Sequence, residues 1–536
     1  MLRNCATVNY FDDWTQVLSC LDTPLCVIRE TTGLRYAAID TKRDTVPYEN
    51  VLAFVPASLP GFLGDPSFCR DFKLRYPCYA GSMAHGIASE ALVVAMAEAG
   101  MLGFFGAAGM SVDSLKPIIE RLKQRLPHQS FGINLLNNPG DSTWETQVID
   151  LLLEQEIHII EASAYLMPSL ALVKFRLKGV FQDRDGQICV PNRIIAKLSR
   201  TEVGRRMFAP PPQKLVDRLL KSGEITAQEA HLASFIPLAQ DITAEADSGG
   251  HTDHRSALAL LPSMLKIAAE MEEEHQYSFP LRVGLGGGIG TPAAAAAAFA
   301  MGAAYIVTGS VNQACLESGS SPQVRELLAQ VTQSDVTDAP AADMFEMGVK
   351  VQVLKKGTRF AERASRLYEL YRSHNSIEEI PDEDRLKIED IIFNKSLEAV
   401  WEDTQAFFEP RNPLQLERAA KNPKYKMALI FRWYLGSASH WANQGTPGRE
   451  EDYQIWCGPA MGAFNDWARG SFLEEPNRRS APLVALNFLY GAALLQRVQN
   501  LRAQGIPINV PPLFPPPQEQ FAQYNDPTEK TKDALH

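Results

Sequence analysis

Two glycine-rich segments in the middle of the chain have the composition of a phosphate-binding site. Residues 284–292 read GLGGGIGTP and run into six consecutive alanines, and residues 308–310 read TGS. Glycine lets the backbone approach a ligand closely, and the free N–H groups in the first turn of a helix attract an anion. Neither segment matches the P-loop pattern, so the spacing favours a bound mononucleotide such as FMN over a hydrolysed nucleotide. A purely structural tight turn at 284–292 is the alternative.

A third segment, residues 245–254, reads EADSGGHTDH and contains a histidine directly after a glycine pair. Such a histidine can reach a ligand, and an ordinary pKa near ~6.5 suits it to donate a proton or a hydrogen bond. The alternative is a histidine that merely ends the strand. A metal site formed by His251, Asp253 and His254 is disfavoured, because the side chains of adjacent residues point in divergent directions. We therefore predict that this chain has no metal site.

Earlier positions add polar and small residues where strands are predicted to end. The small residues of Ala80-Gly81-Ser82-Met83 would let a flat ring lie against the backbone. The amide of Asn134 can bond the edge of a cofactor. Lys197 would place a cation beside an electron-rich ring or a phosphate, or else form a salt bridge inside a barrel mouth.

The elements that must position these residues alternate between short β-type runs and helical stretches over about 235 positions. This alternation predicts an α/β fold, the (β/α)8 TIM barrel, in which active sites lie at the C-terminal ends of the strands. The predicted strands cover residues 76–83, 101–105, 131–135, 158–162, 193–198, 239–246, 281–285 and 305–308. The connection at 200–238 is too long for a simple loop after strand five, and we interpret it as an inserted lid or as a surface excursion.

The regions outside the barrel differ in pattern. We predict a small N-terminal element at 1–75, an FMN-binding barrel at 76–340, a helical C-terminal region at 341–504 and a Pro-rich flexible tail at 505–536. The helical region would either dock a carrier protein or synthase, form a dimer interface, or cover the barrel.

Composition excludes several classes of function. The 536 residues are 45% hydrophobic and 21% charged, which is typical of a globular protein. The net charge of −11 disfavours binding to nucleic acid. No apolar stretch of about 18 residues lacks charges, so no membrane span is expected. The start lacks the apolar region of a secretory signal, and the eight scattered cysteines form no C-x-x-C pair, so we expect a cytoplasmic protein.

Four longer segments together are specific: SGGHTD, GGIGTP, VTGSVNQ and DMFEMGVK. With them, the chain from about residue 74 to residue 504 resembles the trans-acting enoyl reductases of polyunsaturated-fatty-acid and polyketide synthases, the PfaD family. That family is related to nitronate monooxygenases. Two positions depart from the family pattern, since His85 and His254 stand where relatives often have asparagine.

The resemblance implies a flavin site at the barrel mouth, with NADPH as hydride donor. His251 matches the histidine that faces the substrate over the flavin, and it is the implied catalytic residue. The implied FMN-binding residues are Gly81, Ser82, Met83, Asn134, Lys197, Gly249, Gly250, Gly287, Gly288, Thr308, Gly309 and Ser310.

The function implied is reduction of the α,β-double bond of an enoyl thioester carried on an acyl-carrier protein of a separate synthase. The implied partners are that carrier protein and its synthase modules, and a homodimer is one expected assembly. One alternative is a nitronate monooxygenase-like flavin oxygenase. Another is a non-catalytic docking subunit of the synthase.

Overall fold

Eight parallel strands close into a barrel in the computed structural model of this chain, which describes residues 9–11, 20–31, 33–39, 50–137 and 142–508. The barrel order is β5-β6-β7-β8-β11-β12-β13-β14, and β14 pairs with β5 to close it. The predicted (β/α)8 barrel is confirmed, with strand ends that differ by a few residues. In chain order the strands are β1 Asn9–Phe11, β2 Leu25–Glu30, β3 Gly33–Ala38, β4 Val51–Val55, β5 Cys78–Ala80, β6 Leu102–Phe105, β7 Gly132–Leu136, β8 Ile159–Ser163, β9 Phe181–Gln182, β10 Ile188–Cys189, β11 Arg193–Leu198, β12 Asp241–Glu245, β13 Arg282–Gly286, β14 Ile306–Thr308, β15 Val336–Pro340 and β16 Lys350–Leu354.

Aromatic rings fill the interior of the barrel below its mouth. Tyr79 packs on Phe104 and Tyr305 with ring centroids 5.1 and 5.6 Å apart, and Tyr305 stacks on Phe68 at 4.1 Å. The neighbouring strand has to make room for these rings, because a Cβ on Gly284 would lie 2.1 Å from the Tyr305 ring. The barrel is therefore a packed core, and a ligand can enter only at the strand ends.

Helices alternate with the barrel strands, and several begin at a capping side chain. Ser89, Ser111, Ser169 and Thr291 each accept a hydrogen bond from a backbone N–H in the first turn of the helix that follows. The helices between residues 66 and 313 are Pro66–Phe72, Glu90–Glu98, Val112–Arg125, Ser142–Glu154, Leu170–Leu177, Thr201–Phe208, Gln213–Lys221, Ala227–Leu232, Ala257–His275, Pro292–Ala300 and Ser310–Gln313.

The insertion predicted at 200–238 begins with the regular helix of the fifth βα unit. Helix Thr201–Phe208 follows β11, runs back along the barrel and contacts helix Ala257–His275. The extra residues come after this helix, so they lie beside the N-terminal ends of the strands. There the Ala209 carbonyl accepts the N–H of Leu238 at 2.9 Å, just before β12.

The contacts of the extra residues support a surface excursion and not a lid. Helices Gln213–Lys221 and Ala227–Leu232 lie near the end of helix Leu170–Leu177. The carboxylate of Glu229 accepts the N–H of Gly179, directly after that helix, at 2.6 Å. Because barrel helices run from the mouth back to the N-terminal strand ends, the inserted helices pack away from the mouth.

The chain divides into two compact units. The barrel unit contains the described residues up to 246, residues 255–318 and residues 466–508; the helical unit contains residues 247–254 and 319–465. The hairpin of β15 and β16 contributes apolar residues to the core of the helical unit, and the predicted domain boundary at 340 stays a prediction. The description of the chain ends at residue 508, so most of the predicted Pro-rich tail, from residue 509 onward, lies outside it.

The N-terminal sheet shares its core with helix Ala481–Ala503. Strands β1 to β4 pair in the order β1-β3-β2-β4, and apolar residues of β2, β3 and β4 pack with Val498 and Leu501 of helix Ala481–Ala503. The guanidinium of Arg497 donates to the carbonyls of Cys20 and Thr23 at 2.7 and 2.6 Å. In the described part of the chain, the sheet and this distant helix therefore share one apolar core.

Helix Ala481–Ala503 also contacts the alanine-rich helix Pro292–Ala300. The small side chains of that helix let the two backbones approach closely, which explains the run of alanines. Among the described helices, Ala481–Ala503 alone is long and apolar enough to cross a membrane. Of its apolar 18-residue stretch, 83% is buried inside the protein. A core helix satisfies the same criteria.

The helical unit packs its helices on the β15–β16 hairpin. Phe345, Val351, Phe360, Leu367 and Phe431 are among the fully or nearly fully buried residues of its core. A buried polar group stabilises this core, since Asp452 accepts hydrogen bonds from Arg363 and from the Tyr434 hydroxyl. The helices are Pro322–Leu328, Phe360–Ser373, Asp382–Lys387, Leu397–Phe408, Pro413–Lys421, Pro423–Gln444 and Ala460–Ala468, with a π-helical turn at Ile388–Phe393.

Candidate active site

The mouth of the barrel places two glycine loops side by side. Strands β13 and β14 pair through Gly286 and Val307, so the residues that follow each strand emerge next to each other. Gly287 and Gly288 have left-handed backbones with φ of +84° and +76°, which a side chain would strain. The two segments predicted to share a phosphate are therefore adjacent.

The space above these loops is open enough for an anion. A Cβ added to Gly288 or to Gly309 would meet no protein atom within 4 Å, so both backbones face free volume. The Thr308 side chain is held by Asn312, whose Nδ2 donates to Thr308 Oγ1 at 2.9 Å. Ser310 follows Gly309 as the first residue of helix Ser310–Gln313. Open glycine backbone beside hydroxyl groups fits a phosphate group.

The end of β5 is packed tightly against β14. The Gly81 N–H donates to the Thr308 carbonyl at 3.0 Å, and a Cβ on Gly81 would lie 3.0 Å from Val307 Cγ1. Ser82 and Met83 are half-buried next to it, and a Cβ on Gly106 would overlap the Met83 carbonyl at 1.7 Å. Small residues are thus required here by the packing of the strands, whether or not a ring lies above them.

A buried carboxylate that the sequence analysis did not single out lies at the centre of the mouth. Glu161, on β8, is fully buried and accepts a hydrogen bond from the Tyr79 hydroxyl at 3.0 Å. It also accepts from Ser82, through the backbone N–H at 3.2 Å and through the hydroxyl. A charged residue inside the apolar run IIEAS of a central strand is the sequence signal that points to it.

Lys197, on β11, lies in the same cluster and pairs with a second acid. Its Nζ is 3.4 Å from Glu245 Oε1 at the end of β12. Burial by itself lowers the pKa of Lys197, but the negative charges of Glu245 and Glu161 more than offset this and raise it overall. Lys197 is therefore a cation at neutral pH, and the salt bridge considered for it inside the barrel mouth is present.

Asn134 occupies the neighbouring position on β7 and is almost completely buried. Its Nδ2 donates to the Glu161 carbonyl at 3.2 Å and to the Ser163 hydroxyl at 3.1 Å. The amide thus connects the ends of β7 and β8. The structure brings Gly81, Ser82, Met83, Asn134, Lys197, Gly287, Gly288, Thr308, Gly309 and Ser310 together at one end of the barrel unit.

The histidine segment after β12 belongs to the helical unit. Gly250 exchanges two backbone hydrogen bonds with Gln352 of β16, at 2.9 and 2.8 Å. A Cβ on Gly249 would lie 2.7 Å from the Cys457 backbone nitrogen, so its missing side chain allows close contact with that backbone. The predicted approach of Gly249 and Gly250 to a flavin remains a prediction, and the structure gives both residues a packing role.

His251 pairs with an acid from the DMFEMGVK segment. Its Nε2 lies 3.2 Å from Asp343 Oδ2, and the histidine side chain is 45% exposed. Burial raises the pKa of Asp343, but the hydrogen bond and charge of His251 act in the opposite direction and lower it overall. The sequence points to His251 but not to this partner.

His254 has a different environment, between two carboxylates. Its Nδ1 lies 2.9 Å from Asp247 Oδ1, and its Nε2 lies 3.1 Å from Asp338 Oδ1. Burial by itself lowers the pKa of His254, but the bond to Asp247 and the charge of Asp338 raise it overall. The backbone of His254 is left-handed, with φ of +50°, and the two carboxylates fix the orientation of its ring.

Comparison with known proteins identifies the family of this barrel. Residues 67–341, just over half of the chain, match the family described as nitronate monooxygenase. The chain belongs to the nitronate monooxygenase family. A second match covers residues 374–453, which are similar to the helical domain inserted in [acyl-carrier-protein] S-malonyltransferase. Membership in a family of oxidoreductases agrees with the class of chemistry expected from the sequence.

Curated relatives of this family member come from synthase systems. It is 43% identical over 490 residues to a polyunsaturated fatty acid synthase subunit from Thraustochytrium sp., covering 90% of this chain and 32% of that one. It is 43% identical over 442 residues to "Polyketide biosynthesis protein PksE" of Bacillus subtilis, covering 82% of this chain and 57% of that one. The chain thus spans about a third to a little over half of the length of these relatives.

A solved structure extends the likeness to the three-dimensional level. The enoyl reductase domain of MlnA, from the macrolactin biosynthesis cluster of Bacillus amyloliquefaciens, is 38% identical to this chain with a TM-score of 0.78. The match covers 82% of this chain and 99% of that domain. The resemblance predicted from the motifs, to the reductases of polyketide and polyunsaturated-fatty-acid synthases, is confirmed.

Proposed function

We propose that this nitronate monooxygenase family member is a trans-acting, FMN-dependent enoyl reductase of the cytoplasm, with NADPH as its electron source. The observation that carries the proposal is the 38% identity across 99% of the MlnA enoyl reductase domain, at a TM-score of 0.78. A match over nearly a whole domain includes its active site as well as its fold, which a fold likeness alone would not.

The barrel mouth supports the flavin part of the proposal. The open glycine backbones at Gly288 and Gly309, beside two hydroxyl groups, suit the phosphate of a mononucleotide. The cation of Lys197 and the amide of Asn134 suit the polar edge of a ring. In this proposal the phosphate is held by Gly287, Gly288, Thr308, Gly309 and Ser310, and the ring by Gly81, Ser82, Met83, Asn134, Lys197, Gly249 and Gly250.

FMN, when bound, supplies hydride chemistry at the double bond of the substrate, and NADPH returns it to its reduced form. Negative charge develops on the thioester oxygen during the reduction, so a well-placed hydrogen-bond donor lowers the barrier. We assign this role, or the delivery of the proton to the α-carbon, to His251. Asp343 accepts at Nε2 of the same ring and thereby stabilises its protonated form and fixes its orientation.

The synthase relatives support the substrate class. Both relatives described above are named as parts of fatty-acid or polyketide synthesis, and residues 374–453 are similar to a domain of an enzyme that acts on an acyl-carrier protein. In the proposal the substrate is therefore a trans-2-enoyl thioester on the carrier protein of a polyketide or polyunsaturated-fatty-acid synthase.

A flavin oxygenase acting on nitronates is the second candidate, and the family match over residues 67–341 favours it. The two candidates differ in the oxidant of the reduced flavin. The enoyl reductase passes electrons to a carbon–carbon double bond, whereas the oxygenase requires O₂. A non-catalytic docking subunit is a third outcome, in which the barrel takes up no flavin.

Anaerobic stopped-flow absorbance of the full chain tests the proposal. After reconstitution with FMN, we expect NADPH to bleach the flavin and crotonyl-carrier protein, or a crotonyl thioester analogue, to restore its colour without O₂. Recovery of colour only with O₂ and a nitronate would establish the oxygenase. A protein that remains colourless after incubation with FMN would establish the docking subunit.

A further inference from the structure

A cluster of exposed basic side chains interrupts the acidic surface of this chain. Between residues 411 and 426, five side chains are basic and only Glu417 is acidic, although the chain as a whole carries a net charge of −11. Three of the five follow one another at intervals of three residues, and we call Arg418, Lys421 and Lys424 the basic cluster; the first two are exposed and the third is partly exposed. They lie within the helical unit.

The helix geometry puts the basic cluster next to an exposed apolar side chain. On helix Pro413–Lys421, Leu414, Arg418 and Lys421 follow each other at intervals of four and three residues, which places them on one face of the helix. Leu414 is 68% exposed, so this face is directed to solvent. An exposed leucine beside cations is a surface suited to a protein partner with an acidic rim.

Aromatic rings, and not acids, hold two of these cations in position. The Arg418 guanidinium lies 3.9 Å from the centre of the Tyr425 ring, and Lys424 Nζ lies 5.0 Å from the centre of the Tyr371 ring. A cation over a ring keeps its full positive charge while losing some side-chain freedom. The charge is therefore available to a partner, and less ordering is required when the partner binds.

The acids that line the same cleft already have partners. Arg418 and Lys424 line one open cleft together with Glu346 and Glu379. Glu346 pairs with Arg432 at 3.2 Å, and the carboxylate of Glu379 accepts the Asn375 N–H at 2.7 Å. In the described part of the chain, none of the three basic side chains forms an ion pair with an acid.

We propose that the basic cluster and Leu414 form the docking face for the acidic carrier protein that presents the enoyl thioester. This inference rests on the proposed function. It identifies the surface of this chain that the carrier protein would contact. The charge of the cluster is complementary to an acidic helical protein, and Leu414 provides the apolar contact. Attraction between opposite charges mainly speeds the encounter and fixes its orientation.

Steady-state kinetics of the full, FMN-loaded chain with two substrates tests the proposal. One substrate is crotonyl-carrier protein, and the other is crotonyl-N-acetylcysteamine, which has the thioester but no protein. For the triple variant Arg418→Glu, Lys421→Glu, Lys424→Glu we expect kcat/KM with the carrier protein to fall about tenfold or more, mainly through KM. The values with the small thioester should not change.

A second triple variant provides a control of equal charge change. Lys214, Arg218 and Lys221 are also exposed on one helix, Gln213–Lys221, which packs away from the barrel mouth. Their replacement by glutamate should leave both substrates unaffected. For the wild type, kcat/KM with the carrier protein should fall as NaCl rises from about 50 to about 300 mM, because salt screens exposed charges. We call the triple variant of the basic cluster the docking variant, and its kcat/KM should depend less on NaCl.

The outcomes separate failure of the docking face from failure of the reductase. Equal losses on both substrates, or no loss with the carrier protein, would overturn the docking proposal. So would dissociation of a dimer of this chain in the docking variant with unchanged kinetics, because the face would then bind a second copy. If the wild type reduces neither substrate, the proposed function fails, and binding of the carrier protein measured by interferometry still tests the face.

Discussion

Nε2 of His251 lies 3.2 Å from Oδ2 of Asp343, so the histidine proposed to act on the substrate has a carboxylate partner. A carboxylate at one ring nitrogen orients the imidazole and stabilises the imidazolium. The pair joins two segments that the sequence analysis quoted only as separate family motifs, SGGHTD and DMFEMGVK.

Removing the imidazole should slow the reduction without releasing the cofactor. For His251→Ala we expect turnover of crotonyl-carrier protein to fall by ~10²–10⁴-fold, the usual contribution of general acid–base help. In Asp343→Asn turnover should fall less, by roughly ten- to a hundredfold, because a neutral acceptor replaces the charged one and a charge-assisted hydrogen bond is worth ~1.5–3 kcal/mol. Stopped-flow rates and the flavin absorbance measure both effects. His231→Ala, on the exposed insertion, is the control, and normal turnover in His251→Ala would refute the assignment.

Removing the buried carboxylate of the barrel mouth should destabilise the fold. In Glu161→Ala the Ser82 hydroxyl loses its acceptor, the Tyr79 hydroxyl keeps only its contact with Thr243, and Lys197 loses one of its two nearby negative charges. We expect the free energy of unfolding in urea to fall by ~3–5 kcal/mol. Glu161→Gln keeps an acceptor oxygen and should cost about half as much. Glu90→Ala removes an exposed ion pair with Arg121 and should cost less than ~1 kcal/mol. A Glu161→Ala protein as stable as wild type would contradict the central role of Glu161.

A methyl group in the open glycine loop should interfere with FMN and not with the fold. The added Cβ of Gly309→Ala meets no protein atom within 4 Å, so the free energy of unfolding should change by less than ~1 kcal/mol. It would occupy space assigned to the phosphate, and we expect Kd for FMN to rise about tenfold or more, or ~1.4 kcal/mol. Fluorescence titration with FMN measures this. Gly436→Ala, at another glycine with open space around it, should leave Kd unchanged. Equal FMN affinity in Gly309→Ala would place the phosphate elsewhere.

His254 should make the stability of the protein depend on pH near neutrality. Its pKa is raised in the folded protein, above the ordinary value near 6.5, by Asp247 and Asp338. Because the folded protein binds the proton more tightly, this contribution is fully present below about pH 6.5 and is lost as pH rises through the folded pKa. We expect the free energy of unfolding to fall as pH rises above about 6.5, and to fall less in His254→Gln. Urea unfolding at a series of pH values below and above that point measures the difference, with His128→Gln, at an exposed position, as control. An identical pH dependence in wild type and His254→Gln would rule out this contribution.

The barrel and its glycine loops could be predicted because their signals are local. Buried strands of four to six residues, glycines with positive φ and a Thr-Pro start before six alanines each reflect the conformation of a few neighbouring residues. These signals predicted the eight strands, the adjacent glycine loops at 287–288 and 308–310, and the candidate histidine. They also gave the insertion at 200–238, although not the side on which it packs.

The partners of these elements could not be read from the sequence. The charge of Glu161 stands out within its apolar strand, but its partners cannot be read from the sequence. Lys197 comes from the adjacent strand β11, and Tyr79 and Ser82 come from β5 and the residues just after it, although β5 does not pair with β8. Asp343 similarly becomes a functional candidate only when the chain returns to His251. Contacts between residues far apart in sequence depend on the whole topology, and no periodicity encodes them.

The sequence by itself determined the elements of this protein: the alternating strands and helices, the glycines that require an open backbone, and the motifs of its family. The tertiary structure alone decided which elements share a core. Helix Ala481–Ala503 completes the N-terminal sheet, and residues 247–254 join the helical unit although they directly follow a barrel strand. The physical reason is that backbone preferences act over a few residues, whereas the burial of apolar surface is satisfied by whichever complementary surface the folded chain brings near.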